Sequence, residues 1–477
     1  MKIFLKKTLI ILSAALVLSS CELTKVESPN VTDDVYVTTP YITKSWIVGL
    51  RRQLALTLNQ VIVNTELVSD NYFNNRTLSS KVFDIPQIPN YDLDVNNIQS
   101  AVHRLRELSE FGLSAVVPAD KSTLPTEKAE MLFMNAYAHL LSAELFVGLP
   151  GSAKGPVLSP NEHYNLALSA LEQAIALQTD PNEKLAYTLV KARVYYGLGN
   201  ATKAKEAALA AMANKLLLKQ VFFDGQNSAP NDFQTYIFSS TNNEFAPLPR
   251  LDFLDPKYFH TTTIAQDQKP VSFVKSEEAY LILAEAQVSE NDLGTAKTTL
   301  KNLLSDVVQK RPVFSLDDKK ETRNGGNRTD YPLKAVKVKF DANDSPREGY
   351  VLDRQAGNIA IATISGTKVT TTDIDLAQSQ DELLYLVYRL RQEIFFAEGR
   401  RMTDLGIRFP VSNTEQLNNP NVRPEHGVAQ IPAFIPLNRA MDDFTNDTGS
   451  GIVTMKYDMN KVLIANKKAI EIFPFLN

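Results

Sequence analysis

The chain has 477 residues, 44% of them hydrophobic and 22% charged, with a formal net charge of -4. These proportions are ordinary for a water-soluble globular fold, and the length allows about two to four domain-sized units. The balance offers no basic excess for a nucleic-acid partner, and a single cysteine rules out a disulfide framework.

The N-terminus reads as a targeting segment. Lys2, Lys6 and Lys7 form a charged region, and residues 8–19 form an apolar run too short to span a bilayer comfortably. The run ends in Leu18-Ser19-Ser20-Cys21. Small residues before a lone cysteine resemble the bacterial lipobox. Residues 1–20 are therefore expected to be a lipoprotein signal peptide. Residues 21–43, rich in Thr, Asp, Val and Pro, would be the lipidated Cys21 and a tether. Acyl chains at Cys21 would hold the protein on a membrane while its body stays in water.

A long helix should follow, because Ile47, Leu50, Leu54, Leu58, Val61, Thr65 and Val68 recur at helical steps. Trp46 lies beside this stripe and reads as a packing residue. Residues 69–95 form a loop rich in Asn, Asp, Pro and Tyr. A second helical pattern runs through Ile98, Val102, Leu105 and Leu108. Residues 127–147 predict another helix, stopped by Gly148-Leu149-Pro150-Gly151.

Next come Tyr164, Ala167, Leu171, Ala174 and Leu177, then a helix pair over 186–212 around the turn Gly197-Leu198-Gly199-Asn200. Small residues at this spacing let helices approach closely and resemble tetratricopeptide repeats. Similar patterns occupy 276–305 and 379–405, the latter opened by a capping box, Ser379 with Glu382. Residues 219–272, 311–378 and 408–452 lack helical period. The turn signal Asn324-Gly325-Gly326-Asn327 and the β-branched run 360–369 predict small hairpins. The expected fold is mainly α: a tetratricopeptide-like helical repeat scaffold with large irregular loop insertions, over residues 44–477 as one domain.

The stretch Arg389-Leu390-Arg391-Gln392-Glu393-Ile394-Phe395-Phe396-Ala397-Glu398-Gly399-Arg400-Arg401-Met402-Thr403-Asp404-Leu405 resembles the C-terminal signature of the SusD/RagB family. Glu130-Met131-Leu132-Phe133-Met134-Asn135-Ala136-Tyr137-Ala138, and Arg250-Leu251-Asp252 before the helix at Glu278, resemble its other blocks in order and spacing. The chain departs from the family after Asp404-Leu405, where Gly406-Ile407-Arg408-Phe409-Pro410 replaces the usual Trp, and near Ile435-Pro436-Leu437-Asn438. The resemblance implies a surface-exposed outer-membrane lipoprotein with no catalytic activity. It would sit over a SusC-like TonB-dependent transporter and capture a glycan, or a peptide as in the RagB branch. The rival readings are a lipid-anchored repeat scaffold that binds another protein, and an enzyme on a helical scaffold.

No His-Glu-x-x-His, Gly-x-Ser-x-Gly or phosphate-cradling motif occurs, and the five histidines are scattered. No enzyme activity, cofactor or metal is expected. Asp341, Asn343 and Asp344, and the pair Asp442-Asp443, carry oxygen ligands but read as solvated turns. Within the signature, Arg391, Glu393, Glu398, Arg400, Arg401 and Asp404 read as structural, as i,i+3 and i,i+4 ion pairs and helix-end contacts that fix how the helix packs, with Gly399 permitting close approach of a neighbour. The candidate ligand loop is Asp70, Asn71, Tyr72, Asn74, Asn75 and Arg76. Flat rings, amides and a guanidinium fork suit sugar hydroxyls or a peptide backbone. Tyr91, Phe233 and Tyr236 are further candidates.

Overall fold

The computed structural model describes residues 41–75, 83–238, 244–321, 328–355, 357–438 and 440–476. The expected signal peptide, Cys21 and nearly all of the tether lie outside these residues.

Helix α1 (Ile42–Val68) buries the anticipated stripe from Ile47 to Val68. It packs on α2 (Leu93–Phe111), whose first turn is capped by Asp92. Trp46 joins the two: its indole donates to Leu108 O at 2.9 Å. Gly112 makes room, since a Cβ there would lie 2.6 Å from the indole nitrogen.

The repeat scaffold follows. Helix α3 (Pro125–Leu145) packs on α4 (Pro160–Leu177), and α5 (Pro181–Gly197) on α6 (Ala201–Ala211). After α7 (Asp232–Phe238), a similar pair is formed by α8 (Glu277–Ser289) and α9 (Leu293–Asn302). Helix α10 (Gln380–Ile394) closes the array against α8. Ala167, Ala174, Ala186, Ala192, Ala204, Ala208, Ala279 and Ala286 are all fully buried, which is how the axes come close. Gly197 serves the same end, because a Cβ there would lie 2.3 Å from the Tyr164 ring. Ser379 and Glu382 form the expected reciprocal cap on α10, with Ser379 N donating to Glu382 at 2.9 Å.

The expected helix over 379–405 is two pieces. Helix α10 stops at Ile394, the chain turns through Ala397 (φ 57°) and Gly399 (φ 72°), and a short α11 (Arg401–Asp404) resumes. Two left-handed residues cannot sit inside a right-handed helix. Near the C-terminus, α12 (Met459–Ala465) packs on α10.

The insertions form small sheets. Strand β1 (Tyr72–Asn74) pairs antiparallel with β5 (Phe245–Pro247), Tyr72 opposite Pro247. Strands β2 (Leu149–Pro150) and β3 (Val157–Leu158) make a small hairpin, and β4 (Leu218–Val221) pairs with β6 (Val271–Lys275). Strand β7 (Val313–Asp317) pairs with β9 (Asn358–Ala362), far apart in sequence, so residues 311–378 are tied by a long-range pair and not by a local turn. Asn324 to Asn327 lie outside the described residues. Strands β10 (Phe444–Asp447) and β11 (Ile452–Met455) form a hairpin that takes β8 (Lys337–Lys339) on its other edge. Phe73, Tyr331, Phe340, Tyr350, Phe444 and Met455 fill a second, smaller core beneath them.

Candidate functional site

The signature segment and the loop after α1 meet in one buried polar knot. Asp70 is its centre. Arg401 donates to its carboxylate at 2.6 and 3.1 Å, Arg250 donates to it as well, and Gln392 Nε2 reaches it at 3.1 Å. Burial alone would raise the Asp70 pKa, but Arg401 and Arg250 outweigh it and hold the carboxyl below its ordinary range.

One turn earlier, Glu66 accepts from Asn71 Nδ2 at 2.8 Å and from the Gly399 N–H at 2.7 Å. Burial raises its pKa to about 7 despite these donors. Tyr72 donates to Asp255 at 2.6 Å and stacks on Phe396 with ring centroids 4.9 Å apart.

These positions correct the ligand-loop expectation. Asp70, Asn71, Tyr72, Asn74 and Asn75 are all buried, as is Phe233. The Asn74 N–H donates to Asp84 at 2.8 Å and the Asn75 N–H to Glu244 O at 2.8 Å. The first half of the loop is a buried anchor, with these side chains turned away from solvent. Arg76 lies outside the described residues.

Two candidates remain at the surface. Tyr91 is 77% exposed. Tyr236 is half-buried and stacks on Phe245, with centroids 5.0 Å apart. Burial raises the Tyr236 pKa, and the nearby carboxylates of Glu244, Asp232 and Asp94 add to it. A flat ring beside several carboxylates can both stack and accept hydrogen bonds.

The signature charges are buried and structural in geometry, but their partners are mostly remote. Only Arg389 and Glu393 pair at i,i+4, at 2.9 Å. Arg391 pairs with Asp404 at 2.6 Å, Arg400 with Glu278 at 2.6 Å, and Glu398 with Lys275 at 2.8 Å. Gly399 does permit close approach: a Cβ there would lie 3.1 Å from Thr65 Oγ1. Lys461 sits between Asp341 and Asp344 at 2.6 and 2.9 Å, so a side-chain ammonium holds those turns together.

Two features escaped the sequence reading. Three of the scattered histidines converge: His139 Nδ1 lies 2.9 Å from His163 Nδ1, and His103 shares their electrostatic environment. Two open clefts also lie on the scaffold. One of about 560 Å³ is bordered by Tyr385, Leu386, Lys461 and Ile464 on α10 and α12. The other, of about 390 Å³, lies between α1, α3 and β4. The pair Phe222-Phe223 ahead of Asp224-Gly225 was the available signal for the second cleft, as aromatics leading into a turn.

Solved structures share this architecture. A SusD-like carbohydrate binding protein from Bacteroides vulgatus ATCC 8482 superposes with a TM-score of 0.50 at 13% identity, covering 76% of this chain and 82% of that one. A SusD superfamily protein from Bacteroides thetaiotaomicron VPI-5482 gives 0.54 at 12% identity, covering 80% and 98%. A SusD-like protein from Bacteroides fragilis NCTC 9343 gives 0.52 at 12% identity, covering 82% and 98%. The chain has the SusD-like fold. No protein-family model matches the sequence, and no curated protein does. Within this fold the polar knot ties the scaffold to the insertion that carries β1. Among the described residues no helix is long and apolar enough to cross a membrane.

Proposed function

We propose that this protein is a cell-surface nutrient-binding lipoprotein. It captures oligosaccharide or polysaccharide and delivers it to a SusC-like TonB-dependent transporter of the outer membrane. The observation that carries this reading is the SusD-like fold, shared with a protein described as carbohydrate binding. The lipobox ending at Cys21 supports a lipid-anchored, surface-exposed location. Peptide is the alternative cargo.

The proposed mechanism is capture without bond breaking. Tyr91, Tyr236 and Arg76 are the proposed ligand contacts. Rings stack on the apolar faces of sugars, and a guanidinium donates to hydroxyls. The buried pairing of Asp70 with Arg401 and Arg250 fixes the base of the loop after α1, which lowers the ordering cost on binding.

The test is mass spectrometry of the protein drawn gently from native outer membrane. A co-purifying TonB-dependent barrel and a bound saccharide are expected. A soluble protein partner with no barrel would sink the reading in favour of a repeat scaffold.

A further inference from the structure

The cleft between α1, α3 and β4 holds features that the proposed loop site does not use. Phe222 follows β4 and is 75% exposed, a large apolar ring left in water at the rim. The floor is apolar, built from buried Leu54, Ala55, Met134 and Phe273. The walls are polar but nearly neutralised. Arg51 donates twice to Glu130, at 2.6 and 2.8 Å, in a planar fork that stays partly open to solvent. Lys219 pairs with Glu183 at 2.6 Å, and Arg52 donates to Ser228 at 3.2 Å. Gln220 Nε2 reaches Ser272 Oγ at 3.3 Å, so its amide is oriented along the wall.

A turn fixes the far side. Asp224 accepts from the N–H groups of Gln226 and Asn227 at 2.9 and 3.0 Å, and its own N–H donates to Ala229 O at 2.9 Å. The rim ring is thus held between a paired strand and a closed turn, and both sides are preorganised.

This composition selects a class of ligand. A charged ligand would meet walls whose charges are already matched, Arg51 to Glu130 and Lys219 to Glu183, and would gain little from them. A purely apolar ligand would take water from the exposed edge of the Arg51–Glu130 pair and return no hydrogen bond. An uncharged polyhydroxyl ring satisfies both demands, with its apolar face on Phe222 and its hydroxyls on the fork and the amide. We propose that this cleft is a second saccharide site, disaccharide-sized, with Phe222 as platform and Arg51, Glu130 and Gln220 as hydroxyl partners. It rests on the glycan reading above and adds a site apart from Tyr91 and Tyr236. Two sites on one chain would hold a polymer at two points and raise its effective affinity.

The experiment is native affinity electrophoresis of the full-length protein in detergent, in gels containing starch, xylan, xyloglucan, galactomannan or pectic galactan. Retardation by at least one polysaccharide is expected. Phe222→Ala should weaken it about tenfold, Gln220→Ala should weaken it less, and Tyr91→Ala with Tyr236→Ala should leave part of it. Both cleft variants change partly or fully exposed side chains, and matching thermal melts will show that they fold. If both cleft variants bind like the parent while Tyr236→Ala abolishes retardation, the second site is wrong and the glycan reading stands. If no polysaccharide retards the parent and a peptide digest binds instead, both fall.

Discussion

Arg401 and Asp70, 331 positions apart, form a two-point ion pair with Nε–Oδ1 at 2.6 Å and Nη2–Oδ2 at 3.1 Å. Both side chains are essentially without solvent contact. The pair fastens the end of α1 to the start of α11. A buried pair adds little over a well-packed apolar one, but breaking it strands a charge.

Asp70→Asn keeps the shape and leaves Arg401 and Arg250 without their carboxylate. The expected loss is about 3–5 kcal/mol, read as a lower denaturant midpoint with an unchanged slope. A midpoint equal to the parent's would show that the knot does not hold the fold.

Gly399 tests the close approach separately. Its φ of 72° disfavours a side chain, and a Cβ would meet Thr65 Oγ1 at 3.1 Å and Val61 Cγ1 at 3.3 Å. Gly399→Ala should cost roughly 1–2 kcal/mol from the backbone alone, with the contact added. Thr65→Ala in the same chain should return part of the contact cost and none of the backbone cost. Full recovery in a thermal melt would contradict a conformational role for Gly399.

The sequence pattern revealed α1 because its stripe is local, and Leu50 through Val68 obey one period whatever lies opposite. It revealed the cap at Ser379 and Glu382 for the same reason. It could not reveal that Arg391 meets Asp404 or that Arg400 meets Glu278, because periodicity names only neighbours on one helix. Nor could it separate an Asn- and Asp-rich loop that faces water from one that faces donors. Asp70 and Asn71 have the composition of a binding loop, yet Arg250 and Arg401 arrive from remote segments and bury them. The histidines are the clearest case: His103, His139 and His163 come from α2, α3 and α4, and only helix packing brings them together.

Glu285 lies in the scaffold, where Tyr196 donates to it at 3.0 Å. Burial raises its pKa to about 7, opposed by Arg391 and Tyr196, and Glu66 is likewise raised to about 7. Each then favours the folded state fully below the unfolded carboxyl value, and this advantage is lost as pH rises through about 7. From the ordinary 4.5 to about 7, each group is worth roughly 3 kcal/mol. Glu285→Gln keeps an acceptor for Tyr196 and removes the charge. Between about pH 4.5 and 7 the contribution of these two groups falls, and Glu285→Gln should remove about half of that fall, read as the difference in melting temperature between variant and parent at each pH. An unchanged fall would mean that Glu285 does not titrate there.

The histidine cluster sets the acid side. His163 Nε2 lies 3.0 Å from Leu149 O and must donate to it, so His163 Nδ1 accepts the proton of His139 Nδ1 at 2.9 Å. A proton on His163 Nδ1 would put two donors face to face. Burial lowers the pKa of His103 and His139 to about 3 and that of His163 to about 4, with Arg106 nearby adding to each. Above about pH 6.5 both folded and unfolded states are neutral and nothing is lost. As pH falls below that value the unfolded chain takes up protons that the folded one refuses, so stability declines until the folded values are reached. The two buried glutamates oppose this between 4.5 and about 6.5, but three histidines outnumber them. Stability should therefore peak near about pH 6.5. In spectra of the histidine-labelled protein, three imidazole signals should keep their neutral shifts down to about pH 5. Titration of all five near the ordinary value would place these rings in water and remove the acid limb.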